Sequence, residues 1–247
     1  MNLAELNVAQ APMPTSSQDA PVRTAPAFML VPSLACPAEC RYCFGPHRGT
    51  IMSPPVAEEG LDFIARVAAD TGAKKVKVIF HGGELLVAGH ALFRQCLEGL
   101  RDRFGSRGCK VSIQSNLWLL DDEFCRLFVE HGVEVGTSLD GPEPITDAQR
   151  GPGYFGRTMA GIRRAQAHGL HVGCIATFTP DSAPRWREVF DFFRSERLNF
   201  SIHPAVSPLR GGVSPYRLPP EAYCALLRKM LDAYLVHRRE LAIESLD

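Results

Sequence analysis

Cys36, Cys40 and Cys43 stand in a C-x3-C-x2-C spacing, and an aromatic residue, Phe44, follows at once. Three thiols so close together can hold a metal centre. Three thiolates on a [4Fe–4S] cubane leave one iron without a protein ligand, and an open iron can bind a substrate or cosubstrate where a four-cysteine site is closed. The same residues could begin a zinc site with His47 as fourth ligand, or be reduced structural thiols. The other cysteines, Cys96, Cys109, Cys125, Cys174 and Cys224, are scattered and form no C-x2-C pair. Mostly set in apolar surroundings, they read as buried structural thiols.

Short apolar runs alternate with longer amphipathic ones along the chain, and these must position the cysteine loop. The runs predict strands near 28–31, 76–80, 110–114, 134–139, 171–178 and 199–203. Between and after them the pattern predicts helices near 54–70, 90–103, 121–131, 156–168, 184–197 and 219–240. Ser53-Pro54 supplies an N-cap and a first-turn proline, and Gly132 a C-cap. Six β–α units in strict alternation predict an α/β fold with a parallel sheet, right-handed in its crossovers. The units could curl into a partial barrel or form an open doubly wound sheet. The cysteine loop, Gly82–Glu84, Ser115–Asn116, Asp140–Gly141 and Thr177 all fall at or just past the C-terminal ends of strands, the edge where α/β folds place their sites. Residues 1–25, rich in Ala, Pro, Ser, Thr and Gln, predict a disordered tail before a core domain over 26–247.

Composition narrows the function classes. The 247 residues are 45% hydrophobic and 22% charged, with a formal net charge of zero. That balance points to neither nucleic acid nor a membrane as partner. No apolar run approaches the roughly 18 residues of a bilayer span. Eight cysteines without an export signal predict a reducing, cytoplasmic setting.

Three further motifs could contact a ligand. In His81-Gly82-Gly83-Glu84 the paired glycines would let backbone approach a ligand, or simply make a βα turn. Ser115-Asn116 offers a hydrogen-bonding pair, or caps a turn. Ser138-Leu139-Asp140-Gly141-Pro142 is followed by Asp147 and Arg150 in a Gly/Pro-rich loop. An arginine fork suits a carboxylate. His81, His171 and His203 read as core or loop histidines.

Taken with the cysteine loop, these motifs resemble the radical S-adenosylmethionine (SAM) enzymes. The likeness is to the subgroup that modifies peptides and proteins, the sulfatase maturases and the maturases of ribosomally made peptides, and it spans about residues 27–240. It implies a partial (β/α)6 barrel of the TIM-like kind. It implies a [4Fe–4S] cluster on Cys36, Cys40 and Cys43, with SAM chelating the open iron. Gly82, Gly83 and Glu84 would lie at the SAM amino group, Ser115 and Asn116 at a family Thr-Asn-Gly position, Ser138 and Arg150 at the SAM carboxylate, and Tyr42 and Phe44 near the adenine. Reductive cleavage of SAM would give a 5′-deoxyadenosyl radical that takes hydrogen from a peptide or protein substrate, with electrons from a flavodoxin- or ferredoxin-type donor. Three positions depart from the family pattern: Leu85 replaces a usual proline, Leu117 a usual glycine and Thr146 a usual histidine. The Cys-rich SPASM domain of the subgroup would begin near Asp247, which implies a stand-alone core or a shortened one. Action on a small metabolite, and a non-catalytic peptide-binding role with zinc or a cluster, are the alternatives.

Overall fold

Six strands lie side by side, all parallel, in chain order: β1 (Ala27–Leu30), β2 (Val76–Phe80), β3 (Cys109–Ser115), β4 (Glu134–Ser138), β5 (Val172–Phe178) and β6 (Phe200–Pro204). The computed structural model describes residues 25–43, 45–207 and 212–247. The tail expected over 1–25 therefore lies almost wholly outside the described residues. The helices are α1 (Pro54–Thr71), α2 (Gly89–Gly108), α3 (Asp122–His131), α4 (Glu143–Arg150), α5 (Tyr154–Ala167), α6 (Trp186–Glu196) and α7 (Pro220–His237).

Strand order decides between the two topologies the pattern left open. A doubly wound sheet reverses direction at a switch point; here each strand pairs with the next and the order never reverses. Right-handed crossovers that always step the same way lay every helix on the same face. The sheet curls as a half-barrel, with β1 at one edge and β6 at the other, where Ile243 bridges Phe200.

Alternation along the strands separates core from interior. Val76, Val78 and Phe80 of β2, Val111 and Ile113 of β3, and Cys174, Ala176 and Phe178 of β5 are buried. They pack with helical stripes such as Ala57, Leu61, Ile64 and Ala68 of α1. The residues between them, including Gln114, Ser138, Ile175 and Thr177, are only half-buried and line a hollow on the other face.

At α1, Ser53 and Pro54 stand at the N-terminus as expected, but the Ser53 side chain accepts no cap hydrogen bond; the ends of α3 follow their signals. Asp121 Oδ1 accepts the Phe124 N–H at 2.9 Å to open α3, and Gly132 closes it at φ +61°. One element differs from expectation. The Gly/Pro-rich loop after Pro142 is helix α4, whose buried residues are Ile145, Thr146, Gln149 and Arg150. Three of those four are polar, so α4 lacks the apolar periodicity by which a helix is recognised in sequence.

Candidate active site

The cysteine loop leaves β1 and is closed on itself. The Met52 N–H donates to the Pro32 carbonyl at 2.7 Å, Ser33 bridges Ile51, and the Cys36 N–H donates to the His47 carbonyl at 3.1 Å. The turn after β2 clamps it: Gly83 N–H reaches the Ser33 carbonyl at 2.9 Å and Glu84 N–H the Ala35 carbonyl at 2.7 Å. This crossing explains the glycine pair. Gly82 has φ +145°, and a Cβ there would collide with the Ser33 carbonyl oxygen. A Cβ on Gly83 would sit 2.5 Å from the carbonyl oxygens of both Leu34 and Ala35. The glycines thus admit the backbone of the cysteine loop, where sequence suggested the approach of a ligand.

Loop and strand ends surround a cavity of about 250 Å³. Its walls include Cys36, Cys40, Cys43, Tyr42, Gly82, Gly83, Ser115, Asn116, Ser138 and Arg150. Of the remaining candidates, Phe44 lies outside the described residues. Glu84 is placed behind the wall, not in it. Thr177, expected at a strand end beside the site, faces the cavity too, as do Gln114, Tyr154, His81 and His203, which the sequence left without a role. Burial lowers the pKa of both histidines, opposed at His203 by Glu244.

Two buried carboxylates organise the walls. Glu84 is 0% exposed. Its Oε1 accepts from Leu86 N–H at 3.0 Å and Ser115 Oγ at 2.8 Å, and its Oε2 from the Asn116 N–H at 2.8 Å. Burial raises its pKa, and these hydrogen bonds oppose the rise. Leu85, in place of the usual proline, is buried in the short 3-10 turn that Glu84 caps.

Asp140, 1% exposed, closes the other side. Arg150, 6% exposed, grips it with Nε at 2.8 Å and Nη2 at 2.9 Å. Tyr42 Oη donates to it at 2.9 Å, Gln149 Nε2 at 2.7 Å and the Thr177 N–H at 2.9 Å. Burial works against the Arg150 charge, but Asp140 outweighs it and holds the guanidinium well above its ordinary pKa. Burial likewise lifts the Tyr42 phenol, against the pull of Arg150. The Arg41 N–H donates to the Gln149 carbonyl at 2.9 Å, so α4 holds the cysteine loop by backbone as well. Thr146, in place of the usual histidine, receives the Asp140 N–H at 3.2 Å and donates to the Gly141 carbonyl at 2.8 Å.

The thiols suit a cluster. Burial pushes Cys36 up and Cys40 up to about 11, in the latter case against Arg150. Metal ions would displace those protons on binding. Cys36, Cys40 and Cys43 face one cavity. Among the described residues, however, no three His, Cys, Asp or Glu side chains gather as ligands of a single ion. In a four-iron cluster each cysteine takes a different iron.

Comparison with known proteins decides the family. The model of the "Radical SAM superfamily" matches residues 30–193. The chain belongs to the Radical SAM superfamily. A radical SAM enzyme has SAM and a [4Fe–4S] cluster as its cofactors, and the donor set above fits them. The chain is 38% identical over 221 residues to an uncharacterized protein of Methanothermobacter thermautotrophicus, covering 89% of this chain and 83% of that one. It is 28% identical to the serine-type anaerobic sulfatase-maturating enzyme of Klebsiella aerogenes, over 77% of this chain and 48% of that enzyme. The structure of anSMEcpe with bound AdoMet and Cp18Cys peptide superposes with a TM-score of 0.77 at 23% identity, over 88% of this chain and 63% of the other. That likeness establishes the half-barrel fold. The chain thus spans about half to two thirds of these maturase-type proteins.

Proposed function

We propose that this radical SAM chain modifies a peptide or protein by hydrogen abstraction, with Cys36, Cys40 and Cys43 as the cluster ligands. The observation that carries the reading is the convergence of all three cysteines and seven further candidate residues on one cavity at the C-terminal edge of the half-barrel. The sulfatase-maturating relative and the peptide-bound anSMEcpe support a peptide substrate. When bound, the cluster and SAM supply one-electron cleavage of a sulfonium and a carbon radical able to take hydrogen from an unactivated C–H bond.

The side chains divide the remaining work. Ser138 Oγ accepts from Gln114 Nε2 at 3.1 Å, which frees its own proton to meet the SAM carboxylate. Arg150 offers the same carboxylate only Nη1, since its other two nitrogens are held by Asp140. Ser115 gives its proton to Glu84 and accepts the Leu117 N–H at 2.9 Å, so it shapes the wall more than it binds. Gly82 and Gly83 present backbone to the amino group, and Glu84 acts through Ser115 and Asn116. Tyr42, fixed on Asp140, forms the side where adenine would lie. A flavodoxin- or ferredoxin-type protein would deliver electrons, and the cytosol suits eight cysteines that are all free thiols. Among the described residues no helix is long and apolar enough to cross a membrane.

The test is low-temperature electron paramagnetic resonance of anaerobically reconstituted, dithionite-reduced protein with and without SAM. A [4Fe–4S]+ signal that shifts on SAM addition is expected. A silent spectrum, or one that SAM leaves unchanged, overturns the reading.

A further inference from the structure

Each cysteine sulfur already faces an N–H donor. Asn116 Nδ2 lies 3.9 Å from Cys36 Sγ, Arg150 Nη1 lies 3.9 Å from Cys40 Sγ, and the Gly45 N–H reaches Cys43 Sγ at 3.4 Å. The first two donors come from distant parts of the chain, and both are aimed.

Asn116 has little freedom. Its backbone N–H is held by Glu84, and its Oδ1 accepts the Trp118 N–H at 3.0 Å. With the oxygen engaged there, the amide nitrogen must turn to the sulfur. Arg150 is held as firmly: two nitrogens grip Asp140, and the rings of Tyr42 and Tyr154 flank the guanidinium at 5.2 Å each. Nη1 is the nitrogen left for the cavity, where it meets Cys40 Sγ and, at 3.5 Å, Tyr154 Oη.

We propose that Asn116 and Arg150 donate N–H···S hydrogen bonds to the cluster thiolates of Cys36 and Cys40 and so raise the reduction potential of the cluster, with Glu84 and Asp140 as the positioning residues that aim them. The reduced cluster carries one more electron than the oxidised one, and part of that charge sits on sulfur. A donor at sulfur therefore stabilises the reduced state more, and hydrogen bonds to sulfur are among the levers that set cluster potentials. Arg150 brings a guanidinium to the same place, with its charge balanced on the far side by Asp140. The inference rests on the cluster assignment of the preceding subsection.

The experiment is a redox titration of the reconstituted holoprotein, followed by the reduced-cluster resonance, without SAM. Asn116→Ala is expected to keep its iron and move the midpoint to more negative potential. Asn116→Asp, the same in shape but with an acceptor against the sulfur, is expected to move it further. Glu84→Gln and Asp140→Asn touch no sulfur and each removes a negative charge, which by itself would raise the midpoint; a midpoint that falls is therefore expected only from the lost aim, and one that rises would overturn their positioning role. An unchanged midpoint in Asn116→Ala at full iron content overturns the proposal. Where that variant fails to take up iron, an unchanged midpoint in Asn116→Asp overturns it equally. Absence of the resonance from the wild-type protein would instead defeat the cluster reading itself, so the two failures are distinguishable.

Discussion

Glu84 and Asp140 sit on opposite sides of the same cavity, both buried carboxylates and both next to a residue that reaches a cysteine sulfur. They are held in different ways. Glu84 meets only neutral donors, two backbone N–H groups and a hydroxyl. Asp140 meets a guanidinium head-on and adds three neutral donors around it. A carboxylate held by neutral donors alone recovers only part of the cost of burial, and the Glu84 pKa rises; in an ion pair with arginine the cost reappears when a partner is removed. The Glu84 side is therefore predicted to be sensitive to pH, and the Asp140 side to substitution.

The largest expected effect removes what both sides serve. Cys36→Ala deletes the thiol on the Glu84 side, Cys40→Ala the thiol on the Asp140 side, and either should abolish cluster retention, since only three protein ligands are at hand. Cys96→Ala and Cys125→Ala should leave iron content unchanged. Iron and sulfide analysis after reconstitution checks all four, and normal iron in either of the first two would remove the ligand assignment.

Next comes the ion pair. Asp140→Ala or Arg150→Ala strands a buried charge and should cost about 3–5 kcal/mol. The pair exchanged together for apolar residues should cost less than the sum of the two, because no charge is then left alone. Urea denaturation of the four proteins measures the coupling, and simple additivity would count against the compensated picture.

Glu84→Gln should cost less, about 1–3 kcal/mol, because an amide nitrogen would face the Asn116 N–H, donor against donor. The pH dependence sharpens the contrast. A raised pKa in the native state means that the folded protein holds the proton more tightly than the unfolded chain does. The stability tied to Glu84 is therefore full below its ordinary value near 4.5 and is lost as pH rises through the raised value. Stability measured across that window should fall with rising pH in the wild type and lack this component in Glu84→Gln. An identical slope in the two proteins would show that Glu84 does not titrate as its burial demands.

The smallest effect concerns the turns beside the two carboxylates. Next to Asp140 a glycine, Gly141, takes φ +130° with Val189 packed behind it. On the Glu84 side Leu117 adopts φ +64° where the family usually has glycine. Its left-handed backbone costs about 1–2 kcal/mol, yet its side chain is buried and worth about 2–3 kcal/mol. Gly161 makes the room: a Cβ there would sit 2.6 Å from Leu117 Cβ. Leu117→Gly should thus destabilise by about 1 kcal/mol, and a gain in thermal stability would show strain to outweigh burial at this turn.

Several features were legible from residue order. The β–α alternation was readable because apolar strands and amphipathic helices have different periods, and the cysteine loop because its three ligands lie in one short segment. Helix α4 was not readable, because it buries Thr146, Gln149 and Arg150 in place of apolar side chains. Motif likeness placed Glu84 and Arg150 at SAM; the geometry seals the first behind Ser115 and Asn116 and commits most of the second to Asp140. Asp140 itself gave no signal as a hub, since the groups it gathers, on Tyr42, on Gln149 and Arg150 of α4, and on Thr177, come from three separate points in the chain.

Sequence by itself determined the chemistry at hand: three thiols, the glycine pair, and six units that can only form a parallel sheet. These are local properties, set by residue type and by spacings shorter than one structural unit. Tertiary structure alone decided that the sheet curls without reversing, that the glycines make way for the cysteine loop, and that two carboxylates aim the donors at sulfur. Each of these depends on segments brought together from tens of residues apart, and burial then turns that proximity into an energetic constraint.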